Sequence, residues 1–388
     1  MNFWTTIKAA WAEPDLRQRI LFIFAIFGIY IIGVHIQVPI GNIDPEVIKK
    51  TLEENDILQL ISMFSGGALR RLSIFALGLN PYITSSIIMQ LMKAAIPALK
   101  KEAQEGGQYE RMKMAQRTRA LTLVLCVFQG WGFLALISQG IPLTLFDRIS
   151  VVMLWTAGAM MVLWLGEQIQ EKGIGQGVSL MIFAGIVISF PQQTSLVAEE
   201  MRGGLIQIWQ VLLLVLIFIA LTTFIVFFTQ AQRRIMIQHM RRAAGTKMIS
   251  GGSSYLPIPV NAAGVIPIIF AVTLIYFPSQ FASMFRTTWI GDVFGQISLF
   301  MNPAPGSAFW YHWAVGTVVY ALLIFGFTYF YTAIQYDVSD IASQLRRTGA
   351  YIPGVRQGKQ TEQFLDQVIT RITAVGALFL SFCALFPY

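Results

Sequence analysis

Uncharged apolar runs of membrane-crossing length recur from one end of this chain to the other, and they leave few folds open. A helix needs about 20 apolar residues to cross a hydrocarbon core of roughly 30 Å. Nine such runs are readable, at about 20 to 38, 73 to 92, 120 to 138, 149 to 166, 176 to 194, 206 to 229, 261 to 281, 311 to 333 and 372 to 388. The alternation of a membrane barrel is absent. Backbone groups in lipid must be satisfied inside each span, so the runs predict helices and an all-α polytopic membrane protein. Charged residues make up 12% of the chain, about half the roughly 25% of soluble domains. No stretch between the runs suits a separate soluble domain. The first run is followed by no small-residue cleavage site and reads as a retained span. Cys126 and Cys383 sit inside apolar runs and read as packed or lipid-facing thiols.

The net charge of +8 suggests a polyanion partner until its placement is considered. With the N-terminus in the cytoplasm, 21 of the 28 Lys and Arg fall in inside connections and 7 in outside ones. That is the bias the positive-inside rule requires, so the basic balance is mainly topology.

Four connections are long. The external one, 39 to 72, is half apolar, whereas 93 to 119, 230 to 260 and 334 to 371 are cytoplasmic and basic. Within 230 to 260, QAQRRIMIQHMRRAAGTKMISGGSSYLP alternates apolar and polar residues around a Gly-Gly-Ser-Ser turn. It reads either as a hairpin standing in the cytosol or as a solvated face anchoring topology. In 334 to 371, GAYIPGVRQGKQT holds Arg356 and Lys359 at a loop tip, where partner contacts concentrate.

Weak internal symmetry is present. SLMIFAGIVISFP and NAAGVIPIIFAVTLIYFP are both Gly-containing and β-branched, and both finish at Phe-Pro. Inverted repeats are common in transport proteins. The expected halves are 1 to 200 with spans 1 to 5 and 201 to 388 with spans 6 to 9. A two-fold repeat wants one more helix, so the chain is expected to lack its last span.

Catalytic chemistry is not suggested. His35, His239 and His312 are far apart, and no metalloprotease, Walker A or nucleophile-elbow pattern occurs. GIGQG at 173 to 177 follows a span and reads as a turn between helices. No catalytic group, metal site or cofactor is expected. Glu167, Asp147, Asp292 and Asp337 lie at segment ends, which disfavours ion coupling by an intramembrane carboxylate. The polar residues within spans are Asn80, Thr84, Ser85, Ser86, Gln90 and Asn261, which commonly hydrogen-bond between helices.

The stretch DILQLISMFSGGALRRLS is too short and interrupted to span. It suits a short helix packed in a protein cavity, or an interfacial helix on the outer leaflet. Gly66 and Gly67 permit close approach, and Arg70 and Arg71 should hold its end near the outer water. Pro81, read as lying within a helical run, is expected to kink it. A kinked span beside a short re-entrant segment suggests a gated route. A polytopic small-solute transporter accounts for the spans and symmetry but not for this segment; a membrane-embedded enzyme lacks a constellation.

FSGGALRRLSIFALGLNPYITSSIIMQL, WLGEQIQEKGIGQGVSLMIFAGIV, VNAAGVIPIIFA and YIPGVRQGKQTEQFLDQVITRITAVGALFL closely resemble the bacterial SecY family, the central channel of the Sec translocon. With QRRI in the cytoplasmic hairpin, they cover nearly the whole chain in order. The resemblance implies two five-helix halves related as an inverted repeat, here with a tenth span missing, and a non-enzymatic protein-conducting channel in the bacterial inner membrane. It implies a plug at about 57 to 71, carrying Phe64, Ser65, Gly66, Gly67, Arg70 and Arg71. It also implies an apolar pore ring of Leu79, Ile83, Val178, Ile182 and Ile269; a flexible aliphatic collar fits varied polypeptides while offering water few polar sites. The lateral gate between spans two and seven would hold Asn80, Pro81, Ser86, Gln90 and Pro267. Docking would fall to Arg241, Arg242, Arg356 and Lys359. Implied partners are SecE, SecG, the SecA ATPase, the ribosome, signal-peptide-bearing substrates and membrane lipid. The sequence departs from the family pattern at Asn80, at Gln176, in GVRQG and in the loop GQYERMKMAQRTR.

Overall fold

The computed structural model describes residues 11–39, 62, 65–99, 102, 107–137, 144–204, 206–239, 242–244, 247–249, 253–285, 288–301 and 310–386. The helices are α1 (Pro14–His35), α2 (Asn80–Ala95), α3 (Gly107–Ile137), α4 (Leu145–Lys172), α5 (Gly177–Arg202) and α6 (Ile208–Gln230). Strands β1 (Gln232–His239), β2 (Arg242–Ala244), β3 (Lys247–Ile249) and β4 (Ser253–Pro259) follow. Then come α7 (Ile266–Met284), α8 (Trp289–Met301), α9 (Trp310–Gln335), α10 (Val338–Arg347), β5 (Ala350–Tyr351) and α11 (Lys359–Leu385). Among the described residues, seven helices are long and apolar enough to cross a membrane: α1, α3, α4, α5, α6, α9 and α11. The chain is therefore a mostly helical, multi-pass membrane protein.

Two compact units divide it, one of Met1–Ile206 with Tyr276–Ser298 and one of Gln207–Ile275 with Leu299–Tyr388. In the first, α4 begins at a reciprocal cap between Thr144 and Asp147, which satisfies otherwise orphaned amides, and ends at Gly173. Pro81 sits in the first turn of α2, where its missing N–H costs nothing. The expected kink is thus corrected to a helix start, and residues 73 to 79 of that apolar run are turns and a bridge. This leaves α2 with 16 residues, about 24 Å at 1.5 Å per residue. Nor do the Phe-Pro pairs end their runs, because Pro191 lies inside α5 and Pro278 inside α7. The core of this unit joins Ile26, Tyr30 and Val34 of α1 to Phe75, to Val162 and Ile169 of α4 and to Met181 of α5. Gly158 brings α4 so close to the 65–79 segment that a methyl group there would collide with the Ile74 carbonyl.

In the second unit the alternating sequence after α6 forms a hairpin. Strands β1 and β4 pair antiparallel from Gln232↔Pro259 to Gln238↔Ser253. Ile235 and Ile237 are buried while Arg234 and Met236 are exposed, as period-two patterning dictates. A third strand, β5, pairs with the other edge of β1, giving the order β4-β1-β5. Beneath the sheet, Ile235, Ile258, Ile352, Leu365 and Ile369 form an apolar cluster with Val338, Ile341 and Leu345 of α10. Two of the three long basic connections are therefore joined in one small folded body. Helix α6 has no buried residue, although Phe228 stacks on Phe379 of α11 with centroids 3.8 Å apart.

Candidate functional site

The segment between α1 and α2 is irregular backbone whose hydrogen bonds are accounted for locally. Gly66 and Gly67 take φ of +70° and +77°, a region that costs glycine little. Leu72 shares the left-handed region at φ +48°, a strained choice for a residue with a Cβ. Gly67 N donates to Ser62 O at 2.7 Å and Ser73 N to Ala68 O at 2.9 Å. Val38 N donates to Leu72 O and Ile74 N to Ile36 O, both at 3.0 Å, so the segment pairs with the chain leaving α1. Such local satisfaction is what lets non-helical backbone sit among apolar helices.

Burial is nearly complete. Ser65, Ala68, Leu69 and Ser73 are each at most 1% exposed. A Cβ on Gly66 would stand 3.2 Å from the Gly185 carbonyl of α5. From α1, the Tyr30 hydroxyl donates to Ser65 O at 3.4 Å, and its ring stacks on Phe75 at 5.7 Å. An interfacial helix does not match residues 65 to 79, which are turns set inside their own unit. Of the expected plug, Ser62 is helical, whereas Phe64 lies outside the described residues. Arg70 and Arg71 are half-buried, and Nη1 of Arg71 is buried without a hydrogen-bond partner.

Four of the five ring candidates come together. Leu79 precedes α2 and Ile83 lies one turn into it, while Val178 and Ile182 are one turn apart near the start of α5. All four belong to the apolar cluster that receives Ala68 and Phe75 of the buried segment. Ile269 lies on α7, in the other unit, and its carbonyl accepts from the Thr273 hydroxyl at 2.7 Å.

The gate candidates divide likewise. Asn80 O accepts from the Thr84 hydroxyl at 3.0 Å, and Gln90 Nε2 donates to Ser86 Oγ at 3.3 Å. Ser86 and Gln90, with Tyr82, Lys93, Arg119 and Glu167, line a cavity of about 400 Å³. Arg119 Nε and Glu167 Oε1 pair there at 2.6 Å. Pro267 is buried in the first turn of α7. The sequence reading missed Gln129 of α3, whose Nε2 donates to Thr84 Oγ1 at 3.3 Å in a buried site. A lone Gln in the run 120 to 138 was the available signal.

Of the docking candidates, Arg241 lies outside the described residues and Arg242 starts β2. Arg356 is exposed on a tip turned by Gly354 at φ +83° and Gly358 at φ +99°. Lys359 is exposed but opens α11, so it belongs to the helix and not to the loop tip.

Comparison with known proteins fits this geometry. The SecY family model matches residues 73–388. The protein translocase subunit SecY of Thermotoga maritima is 39% identical over 402 residues, covering 99% of this chain and 88% of that protein. Its Escherichia coli K12 counterpart is 40% identical over 385 residues, covering 96% and 84%. Among solved structures, a protein-conducting channel superposes with a TM-score of 0.69 at 19% identity, covering 94% of this chain and 84% of that one. A SecY whose plug domain stabilises the closed state gives 0.68 at 19%, covering 95% and 85%. A ribosome-bound Sec61 channel from the canine endoplasmic reticulum gives 0.66 at 18%, covering 94% and 84%. The fold is shared with these channels, and the identity to bacterial translocase subunits extends over almost the whole sequence. By descent and by fold the chain belongs to the SecY family of protein-translocating channels.

Proposed function

We propose that this chain is the channel subunit of a bacterial inner-membrane translocon, passing unfolded secretory polypeptides outward and releasing hydrophobic helices sideways into lipid. It crosses the membrane nine times from a cytoplasmic N-terminus, α2 and α7 counting as spans, in two halves at 1 to 200 and 201 to 388 related as an inverted repeat. The observation that carries this reading is the buried 65–79 segment, seated against Gly185 and continuous with the cluster of Leu79, Ile83, Val178 and Ile182. An aliphatic collar meeting an irregular, removable segment is the physical requirement for a pore that stays dry when idle and yields to many sequences. Residues 57 to 71 act as the plug, and Ile269 completes the ring. Asn80, Pro81, Ser86, Gln90 and Pro267 line the lateral gate. No residue has a catalytic role.

The body built from β1, β4, β5 and α10 receives the cytosolic partners. Arg356 is its main contact, with Arg241, Arg242 and Lys359 adding positive charge for acidic side chains or ribosomal RNA phosphates. SecA and the ribosome share this surface, and SecE and SecG complete the membrane complex. The test is site-specific crosslinking in membranes between a Cys placed at Ile182 and a stalled secretory chain carrying a photoprobe. A crosslink that depends on a signal-bearing chain is expected. Failure to crosslink anywhere on the collar, with small-solute uptake intact, would replace this reading by that of a solute transporter.

A further inference from the structure

The sheet that joins the two cytoplasmic loops carries a side-chain contact between them. Gln238 and Tyr351 are direct antiparallel partners on β1 and β5. Across that pair the Tyr351 hydroxyl donates to Gln238 Oε1 at 2.9 Å, between residues 113 apart in sequence. Between this pair and α11 several hydrogen bonds hold the chain. Gln357 Nε2 donates to Ala350 O at 3.3 Å, Val355 N to Ile352 O at 3.1 Å, and Thr361 Oγ1 to Arg356 O at 2.9 Å. Ala350 and Thr361 are buried, at 1% and 4% exposure, while the Arg356 side chain is exposed. The main chain at Ile352, Val355 and Arg356 is thus held while the Arg356 side chain is left exposed.

We propose that Tyr351 and Gln238 are positioning residues for motor docking, holding the Arg356 tip of one loop in a set orientation against the hairpin of the other. The inference rests on the reading of Arg356 as the docking residue. A guanidinium makes its strongest contacts in a fixed fork geometry, so a tip that wanders loses binding before it loses the maximal rate. β5 has only two residues, so its pairing is weak by itself, and a side-chain bond across the pair counts for a larger share of the restraint.

The test uses the complete channel complex in proteoliposomes, with purified SecA titrated and translocation-coupled ATPase activity measured. Tyr351→Phe keeps the ring and removes the donor. It should raise the half-saturating SecA concentration about three- to tenfold, as expected for one hydrogen bond, with the maximal rate within about twofold. Gln238→Glu, which keeps an acceptor at the same place, should behave as the parent, whereas Gln238→Ala should resemble Tyr351→Phe. In an Arg356→Ala background the Tyr351→Phe change should add nothing. An unchanged half-saturation for Tyr351→Phe, beside a weakened Arg356→Ala, overturns the positioning role and leaves the docking reading intact. Additive effects overturn it too, by revealing a general loss of stability. Normal SecA saturation in Arg356→Ala removes both together.

Discussion

The buried segment Ser65–Leu79 and the tip Pro353–Gly358 are built from similar parts: positive-φ glycines, arginine and no regular secondary structure. Their surroundings give them opposite properties. In the first, apolar helices press from several sides, so the backbone bonds to itself and to residues 36 to 38, and close glycine contacts fix its depth. In the second, water takes one side, so buried Ala350 and Thr361 anchor the main chain and the side chain is left outward. Irregular backbone can be buried where its own bonds satisfy it, and can present a charge where its main chain is held while one side chain stays outward.

That contrast can be broken from either end. The largest expected effect is at the tip: Arg356→Glu should reduce SecA-driven export at least about tenfold while leaving membrane insertion of the channel normal, since it turns an attraction into a repulsion. Export by that variant at the parental rate, measured in inverted vesicles, would remove the docking role. At the buried segment, Gly158→Ala places a methyl against the Ile74 carbonyl, a backbone atom that cannot rotate away. Overpacking of this kind costs about 1–3 kcal/mol, and it should appear as raised ion conductance in proteoliposomes. A tight, stable variant would mean that the 65–79 segment moves without consequence. Ile182→Asn should raise ion leak several-fold and relax the signal-sequence requirement, because an amide gives water a partner within the collar. Unchanged leak and selectivity would count against the collar. Smallest is Tyr30→Phe, which keeps the stack on Phe75 and removes one long bond to Ser65. It should cost under about 1 kcal/mol, detectable as a slight rise in idle conductance and no change in export.

Much of this was legible in the sequence because lipid reduces the choices to apolar runs and their flanks. Each of the nine runs overlaps a helix, seven of them long and apolar enough to cross a membrane, and the hairpin was visible in the alternation of QRRIMIQH. Boundaries were less legible. Asn80-Pro81 was read as a kink in a longer run, although proline tolerates the first turn better than the interior. The amphipathic α10 and the strand β5 were not foreseen. Each depends on contacts far along the chain: Ala350 finds its partner at His239, and Leu345 its core at Ile235 and Leu365. The proposed collar rests on motif resemblance, since a single Ile in an apolar helix looks like any other. Gln129 escaped because a lone amide in a span carries no pattern until Thr84 is opposite it.

The pairing of β1 with β5 also orders events in time. A chain made from its N-terminus displays β1 and β4 long before β5 emerges, and α7, α8 and α9 lie between them. The sheet closes only after those helices have been synthesised and β5 has returned to the hairpin's side. Arg356 follows β5 in the chain, so its tip is made only after the third strand. A partly made chain therefore carries an unfinished sheet, and α11, which follows β5, is still to come when the third strand arrives.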